Sequence, residues 1–240
     1  MKNYLYIGKK SFIVFDTNMN ILTKKNNEGI IDFENIQNPV ESVNSLSSFL
    51  REIHKLHPFK EIVIFDIAFN SQVIDVPGLP ISHSKRNEVL LWKLDNILPY
   101  KVDSYSLKYR IVERDRVLFY ALPVTLYNTL NRALASINLK CWDILPESYF
   151  LFENFLKEEN KTLFFLDRNY YFTAMFIKDK EIVYIKSRKK VKKIPVKQEV
   201  NIVESVILKK LKTDIGKKLY CSRQFIEGFE KKLKGFDFED

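Results

Sequence analysis

"LFFLDRNYYFTAMFI", residues 163–177, reads as two apolar strands folded about a polar turn, Asp167-Arg168-Asn169. An Asp-x-Gly turn at such a hairpin lets the backbone approach a phosphate, because glycine adds no Cβ. Here Asn169 stands where that pattern has glycine, and Arg168 sits at the apex. A counterpart lies near the start of the chain in "YLYIGKKSFIVF", residues 4–15, where Gly8-Lys9-Lys10 turns between two further apolar strands. One hairpin keeps the acid and the other keeps the glycine.

The segments around the two hairpins follow the same order. In the first half, strands are expected at 4–7, 11–15 and 20–23, followed by a helix whose start carries three signals: Asn38 as N-cap, Pro39 at the first helical position and Glu41 as a capping-box acid. Val43, Leu46, Phe49, Leu50, Ile53 and Leu56 recur at helical spacing, Pro58 stops the helix, and a buried strand follows at 61–65. In the second half, strands at 162–166, 170–177 and 181–186 lead to a helix over 199–212 with Val203, Val206, Ile207 and Leu211 on its apolar face. A strand at 218–221 and a last helix bearing Phe225, Ile226, Phe229 and Leu233 complete that half. Hairpin, strand, helix, strand therefore occurs twice, which predicts an α/β fold built by internal duplication. Between the halves, residues 76–145 read as an α-β-β-α-β insert, with helices over 85–98 and from Pro123, strands at 104–111 and 116–121, and a closing strand near 139–144. A helix from Pro146 to about Leu156 bridges into the second half.

Composition narrows the functional classes. The 240 residues are 46% hydrophobic and 14% aromatic, enough for a sizeable core. With 39 Lys+Arg against 30 Asp+Glu, the formal net charge of +9 favours anionic partners: acidic proteins, lipid head groups or nucleic acid. Cys141 and Cys221 show no CxxC spacing, which argues against a disulfide framework or zinc site and fits a reducing cytoplasm. The N-terminal stretch lacks the apolar core of a signal peptide, and no segment is apolar for the length of a membrane span, so the chain reads as soluble.

Two runs carry a family resemblance: "KRNEVLLWKLDNILPYKVDSYSLKYRIV", residues 85–112, and "RVLFYALPVTLYNTLNRALASINLKCWDILPESYFLF", residues 116–152. In their order of elements, and in Leu98-Pro99-Tyr100, Leu107-Lys108-Tyr109 and Asn138-Leu139, they resemble the PilM proteins of type IV pilus assembly and the cytoplasmic part of GspL in type II secretion. The resemblance implies an actin-like fold, a duplicated ribonuclease-H-like fold with an inserted subdomain and a reduced second half. The division would be residues 1–75 with 146–158, the insert over 76–145, and 159–240. A GspL-like arrangement would place a membrane span beyond Asp240 in a longer parent chain.

In such a fold two hairpins clasp phosphates with backbone amides, acids hold Mg²⁺ through water, and a Gly-rich turn meets the base. The resemblance puts Tyr6 in place of one metal-side acid, and puts Cys221-Ser222-Arg223 in place of a Gly-Gly pair. Gly8, Lys9, Asp167, Arg168, Asn169 and Ser222 then mark a vestigial nucleotide cleft, in which Arg168 and Lys9 could still attract a phosphate. The simpler role for Asp167 is a turn residue capping its own backbone. "KSRKKVKKIPVK", residues 186–197, is a solvated loop on one reading; on the other, Arg188, Lys189, Lys190, Lys192 and Lys193 contact anionic lipid or an acidic partner. His54 and His57 have a metal-compatible spacing without further ligands, so a solvated helix end is expected.

The resemblance implies a non-enzymatic cytoplasmic scaffold, peripheral to the inner membrane, that recruits a pilus or secretion ATPase and a membrane-anchored assembly protein. No cofactor or metal is expected, and a second copy of the chain is a further candidate partner. A minimal actin-like ATPase that still binds Mg-ATP remains the alternative, and a basic nucleic-acid-binding module a third. The last lacks both the acidic cluster of a two-metal nuclease and the interleaved aromatics of a single-strand platform.

Overall fold

The computed structural model describes residues 3–27, 29–33, 35, 38–40, 42–64, 68–140, 143–168, 171–190 and 196–222. Three sheets organise them. The first has the order β3-β2-β1-β4-β8, built from β1 (Asn3–Ile7), β2 (Ser11–Asp16), β3 (Ile21–Asn26), β4 (Glu61–Ile64) and β8 (Asp143–Pro146). The second has the order β11-β10-β9-β12, from β9 (Thr162–Asp167), β10 (Tyr171–Lys178), β11 (Glu181–Lys189) and β12 (Lys217–Ser222). Each starts with an antiparallel three-strand meander and continues through a helix to a strand parallel to the meander's first. The connecting helices are α1 (Val43–Leu56) and α5 (Val196–Leu211). The duplication expected from the two hairpins is therefore present in the topology.

The third sheet, β5-β7-β6, belongs to the insert: β5 (Asn70–Asp75), β6 (Tyr105–Glu113) and β7 (Arg116–Pro123), with α2 (His83–Asp95) and α3 (Val124–Ala135). Its strands differ from expectation. The closing strand near 139–144 is β8, which pairs with β4 in the first sheet, and β5 supplies the insert's third strand instead. Short apolar strands name no partner in sequence, so both fit either sheet.

Alternation decides the packing. Along β9, Phe164 and Leu166 enter the large core shared with the first sheet, whereas Leu163 and Phe165 face a separate cluster with Val200, Val203 and Ile207 of α5. A strand buried on both faces is apolar along its length, as "LFFL", residues 163–166, is. The insert's β7 divides likewise, with Leu118, Tyr120 and Leu122 in the large core and Val117, Phe119 and Ala121 packed with α2 residues Leu90 and Leu94. In α1, Leu46, Leu50 and Ile53 are fully buried at helical spacing. That helix starts later than expected, because Ser42, not Asn38, is the N-cap; its side chain accepts from the Ser45 N–H at 3.3 Å. At the other end His54 Nδ1 accepts from the Phe59 N–H at 3.2 Å, so His54 closes the helix exit.

The bridging helix runs as α4 (Glu147–Leu151) and continues as a π-helical stretch over Phe152–Leu156. Phe150 in α4 packs edge-on to Tyr4, with ring centroids 4.8 Å apart. No helix among the described residues is long and apolar enough to cross a membrane.

Candidate functional site

Ligands of open α/β sheets bind beyond the carboxyl ends of parallel strands, where chain connections diverge. In the first sheet β1, β4 and β8 run parallel and end level at Ile7, Ile64 and Pro146. In the second, β9 and β12 are parallel and end level at Asp167 and Ser222. Gly8 and Lys9 follow β1, Glu147 follows β8 and Arg168 follows β9. The candidates Asp167, Arg168 and Ser222 thus share one strand end, and Gly8 with Lys9 marks the corresponding end of the first sheet. Asn169 lies outside the described residues.

At the first turn the Gly8 N–H donates to the Ser11 carbonyl at 2.9 Å, so that amide closes the hairpin. Asn27 Nδ2 reaches the Gly8 and Lys9 carbonyls at 3.3 and 3.2 Å and ties the turn to the loop after β3. A Cβ on Gly8 would stand 2.8 Å from Tyr6 Cε1 and 3.3 Å from its hydroxyl oxygen. Glycine is required here because the Tyr6 ring lies against it. The ring comes from the residue that stands in place of the metal-side acid.

At the second turn both Asp167 carboxylate oxygens reach across the sheet. Its Oδ2 accepts from the Tyr220 hydroxyl on β12, and its Oδ1 pairs with Lys190 Nζ at the end of β11. Arg168 turns inward, a correction to its expected role as a phosphate-attracting cation. Its Nε and one terminal nitrogen donate to Glu147 Oε1 at 3.0 and 2.6 Å, the Tyr171 hydroxyl donates to Glu147 Oε2, and the other terminal nitrogen lies 3.8 Å from Cys221 Sγ. Glu147 is 0% and Arg168 6% exposed. Burial works against the Arg168 charge, but the Coulombic pull of Glu147, with Cys221 and Tyr171, more than offsets it and holds the guanidinium pKa well above its ordinary value. The pair joins the strand end of the first sheet to the hairpin of the second.

Sequence reasoning missed Glu147. Its signal was a lone acid between the apolar β8 and "SYFLF", matched by a lone arginine between two apolar strands. An unpaired charge in either setting would cost several kcal/mol, so each predicts a buried partner.

The described start of the basic run is strand and not loop. Lys186 to Lys189 are the last residues of β11, Lys190 is drawn onto Asp167, and α5 begins at Val196; Lys192 and Lys193 lie outside the described residues. Arg188 is half-buried and Lys189 exposed. Among the described residues no group of three His, Cys, Asp or Glu side chains is placed to hold a metal.

No family model matches the sequence, and no curated protein does. Solved structures do match in shape. A chain of the PilM-PilN type IV pilus biogenesis complex superposes with a TM-score of 0.61 at 13% identity, covering 89% of this chain and 66% of that one. The cytoplasmic domain of EpsL, an inner membrane component of the type II secretion system of Vibrio cholerae, gives 0.54 at 9% identity over 94% and 85% of the two chains. A Bacteroides thetaiotaomicron protein with an actin-like ATPase fold and unknown function gives 0.52 at 12% identity over 97% and 86%. The fold is actin-like. This chain spans about two thirds of the length of the pilus protein it resembles.

An actin-like fold implies a Mg-nucleotide in the crevice between the halves, and the described residues at these strand ends do not fit one. The Tyr6 ring lies against Gly8, Asp167 pairs with Lys190 and accepts from the Tyr220 hydroxyl, and the buried Arg168 is committed to Glu147. A second concavity, about 180 Å³, lies where the insert meets the first sheet. Tyr109, Tyr120, Tyr127 and Tyr149 line it, and the Lys108–Asp143 ion pair spans its rim.

Proposed function

We propose that this chain is a non-enzymatic scaffold of a type IV pilus or type II secretion assembly platform, working on the cytoplasmic face of the inner membrane. The Glu147–Arg168 pair carries this reading: the crevice where an actin-like ATPase would hold phosphates is joined by the protein's own side chains. The likeness to a PilM-PilN complex chain and to an inner-membrane secretion component supports the cellular setting. The scaffold works by surface complementarity. The tyrosine-lined concavity takes an extended segment of a membrane-anchored assembly protein, since aromatic walls give contact area with little entropy loss. Other faces recruit the assembly ATPase, and Arg188 and Lys189 at the end of β11 lie toward anionic lipid.

The test is co-purification of the tagged chain with a membrane-anchored pilus or secretion assembly protein of its own cell. The scaffold reading expects a stable complex, weakened when the partly exposed Tyr127 and Tyr149 are both changed to Ala, and no ATP turnover by the purified chain. A chain that ignores this partner and hydrolyses ATP would sink the reading.

A further inference from the structure

Six of the ten large apolar side chains left exposed among the described residues belong to the insert: Ile81, Val89, Leu91, Trp92, Tyr100 and Ile111. Three of them sit on α2, where Trp92 is 69% exposed. The inward face of α2 is already used, since Leu90 and Leu94 pack with Val117, Phe119 and Ala121 of β7. A helix apolar on both faces calls for cover on both, and the described residues leave the second face of α2 open.

The open face has an order. Lys85, Val89, Trp92 and Asn96 follow one another at the spacing that puts side chains on one helix face, with Glu88 and Asp95 alongside, and all six are exposed. Lys85 and Asp95 mark the two ends of this stripe, about 15 Å apart along the axis. Asp95 accepts from the Val102 N–H at 2.8 Å, and neither residue forms an ion pair among the described residues. Turned end for end, the stripe therefore complements itself: a basic end meets an acidic one, and the apolar pair Val89 and Trp92 lies between. A parallel pairing would instead set Lys85 on Lys85 and Asp95 on Asp95. An anionic membrane is a poorer occupant, because the stripe carries two acids to one lysine, whereas a helix lying on such a surface shows a basic polar face.

We propose that α2 docks antiparallel on the α2 of a second copy of this chain, about a two-fold axis that passes between Val89 and Trp92. Each Trp92 covers the other copy's Val89, and each Lys85 stands opposite the other copy's Asp95, twice by symmetry. Glu88 falls at the rim beside the other copy's Trp92, where its charge stays solvated and the indole N–H has an acceptor. One helix against another buries less than the roughly 1,200 Å² of a standard stable interface, so the dimer is weak and depends on concentration. The tyrosine-lined concavity lies on the opposite face of β7, where Tyr120 and Leu122 point away from α2. The inference stands apart from the scaffold reading, and either can fail alone.

The test is sedimentation equilibrium of the full chain between about 10 µM and 1 mM, where a monomer–dimer equilibrium is expected. Trp92→Ala should weaken it at least about tenfold, as loss of a central aromatic does. Lys85→Glu alone and Asp95→Lys alone should each weaken it by roughly three- to tenfold, because each sets two like-charged pairs face to face. Mixing these two variants in equal amounts should restore a heterodimer of near-parental affinity, since every end contact then again joins opposite charges. All three positions are exposed, and both reversals suit the helix dipole, so the variants are expected to fold, which circular dichroism checks. A monomer throughout the range overturns the proposal, as does a dimer indifferent to Trp92→Ala, or a mixture that associates no better than its components. Binding of phosphatidylglycerol–phosphatidylcholine vesicles that Trp92→Ala abolishes, with no dimer, assigns the face to lipid and also overturns it.

Discussion

Replacing Arg168 by Met isolates what the buried pair does. Met roughly matches the aliphatic length of arginine but leaves the fully buried Glu147 carboxylate with the Tyr171 hydroxyl as its one side-chain partner among the described residues. Breaking a buried pair from one side costs about 3–5 kcal/mol, because the surviving charge is neither solvated nor compensated. In a chain of this size each kcal/mol lowers Tm by about 2–4 °C, so a fall of roughly 6–20 °C is expected. Adding Glu147→Leu removes the stranded charge but orphans the Tyr171 hydroxyl, leaving a deficit of about 1–3 kcal/mol. A triple variant with Tyr171→Phe should recover to within about 2 kcal/mol of the parent, since an apolar replacement of a whole buried network is often near neutral. Urea unfolding followed by tryptophan fluorescence and far-ultraviolet circular dichroism measures the series, with coincident transitions licensing the comparison. A single variant costing less than about 1 kcal/mol, or a triple variant worse than the single, would refute the buried pairing.

Gly8→Ala should destabilise by about 1–3 kcal/mol through overpacking against the Tyr6 ring, and Tyr6→Ala should remove most of that cost in the double variant. Additive losses in the same urea assay would contradict the contact. Burial lowers the pKa of His54 below its usual 6.5, and its Nδ1 must be unprotonated to accept from Phe59. The unfolded chain therefore takes up this proton first as pH falls, so the stability present above about pH 6.5 is lost below it. Tm should drop between neutral and mildly acidic buffer, and by less in His54→Gln; equal drops in both proteins count against this role.

The duplicated hairpins were legible because strands buried on both faces must be continuously apolar, and "LFFL" and "YLYI" are. The helices were legible from periodicity, although α1 offered two cap signals. Asn38-Pro39 was the stronger pattern in sequence, yet Ser42 stands next to the first turn and reaches the Ser45 amide. What stayed hidden depends on contacts between distant residues. Glu147 and Arg168 are 21 positions apart and belong to different halves of the fold. The apolar residues around each hint at burial, but nothing local says which charge is the partner of which. The inward turn of Arg168 makes this hairpin part of a junction between the halves. Lys190 was likewise read with its basic neighbours, although its partner Asp167 lies across the sheet.

The central claim is that the chain's own side chains occupy the crevice where an actin-like fold would hold Mg-nucleotide, and one thermal melt tests it. The full chain is unfolded by heat with and without millimolar Mg-ATP, followed by circular dichroism. A ligand at one hundred times its Kd stabilises by about 2.7 kcal/mol, a rise of roughly 5–11 °C for a chain of this size. The account predicts no rise. A reproducible shift of that size, abolished by Asp167→Ala, would contradict it.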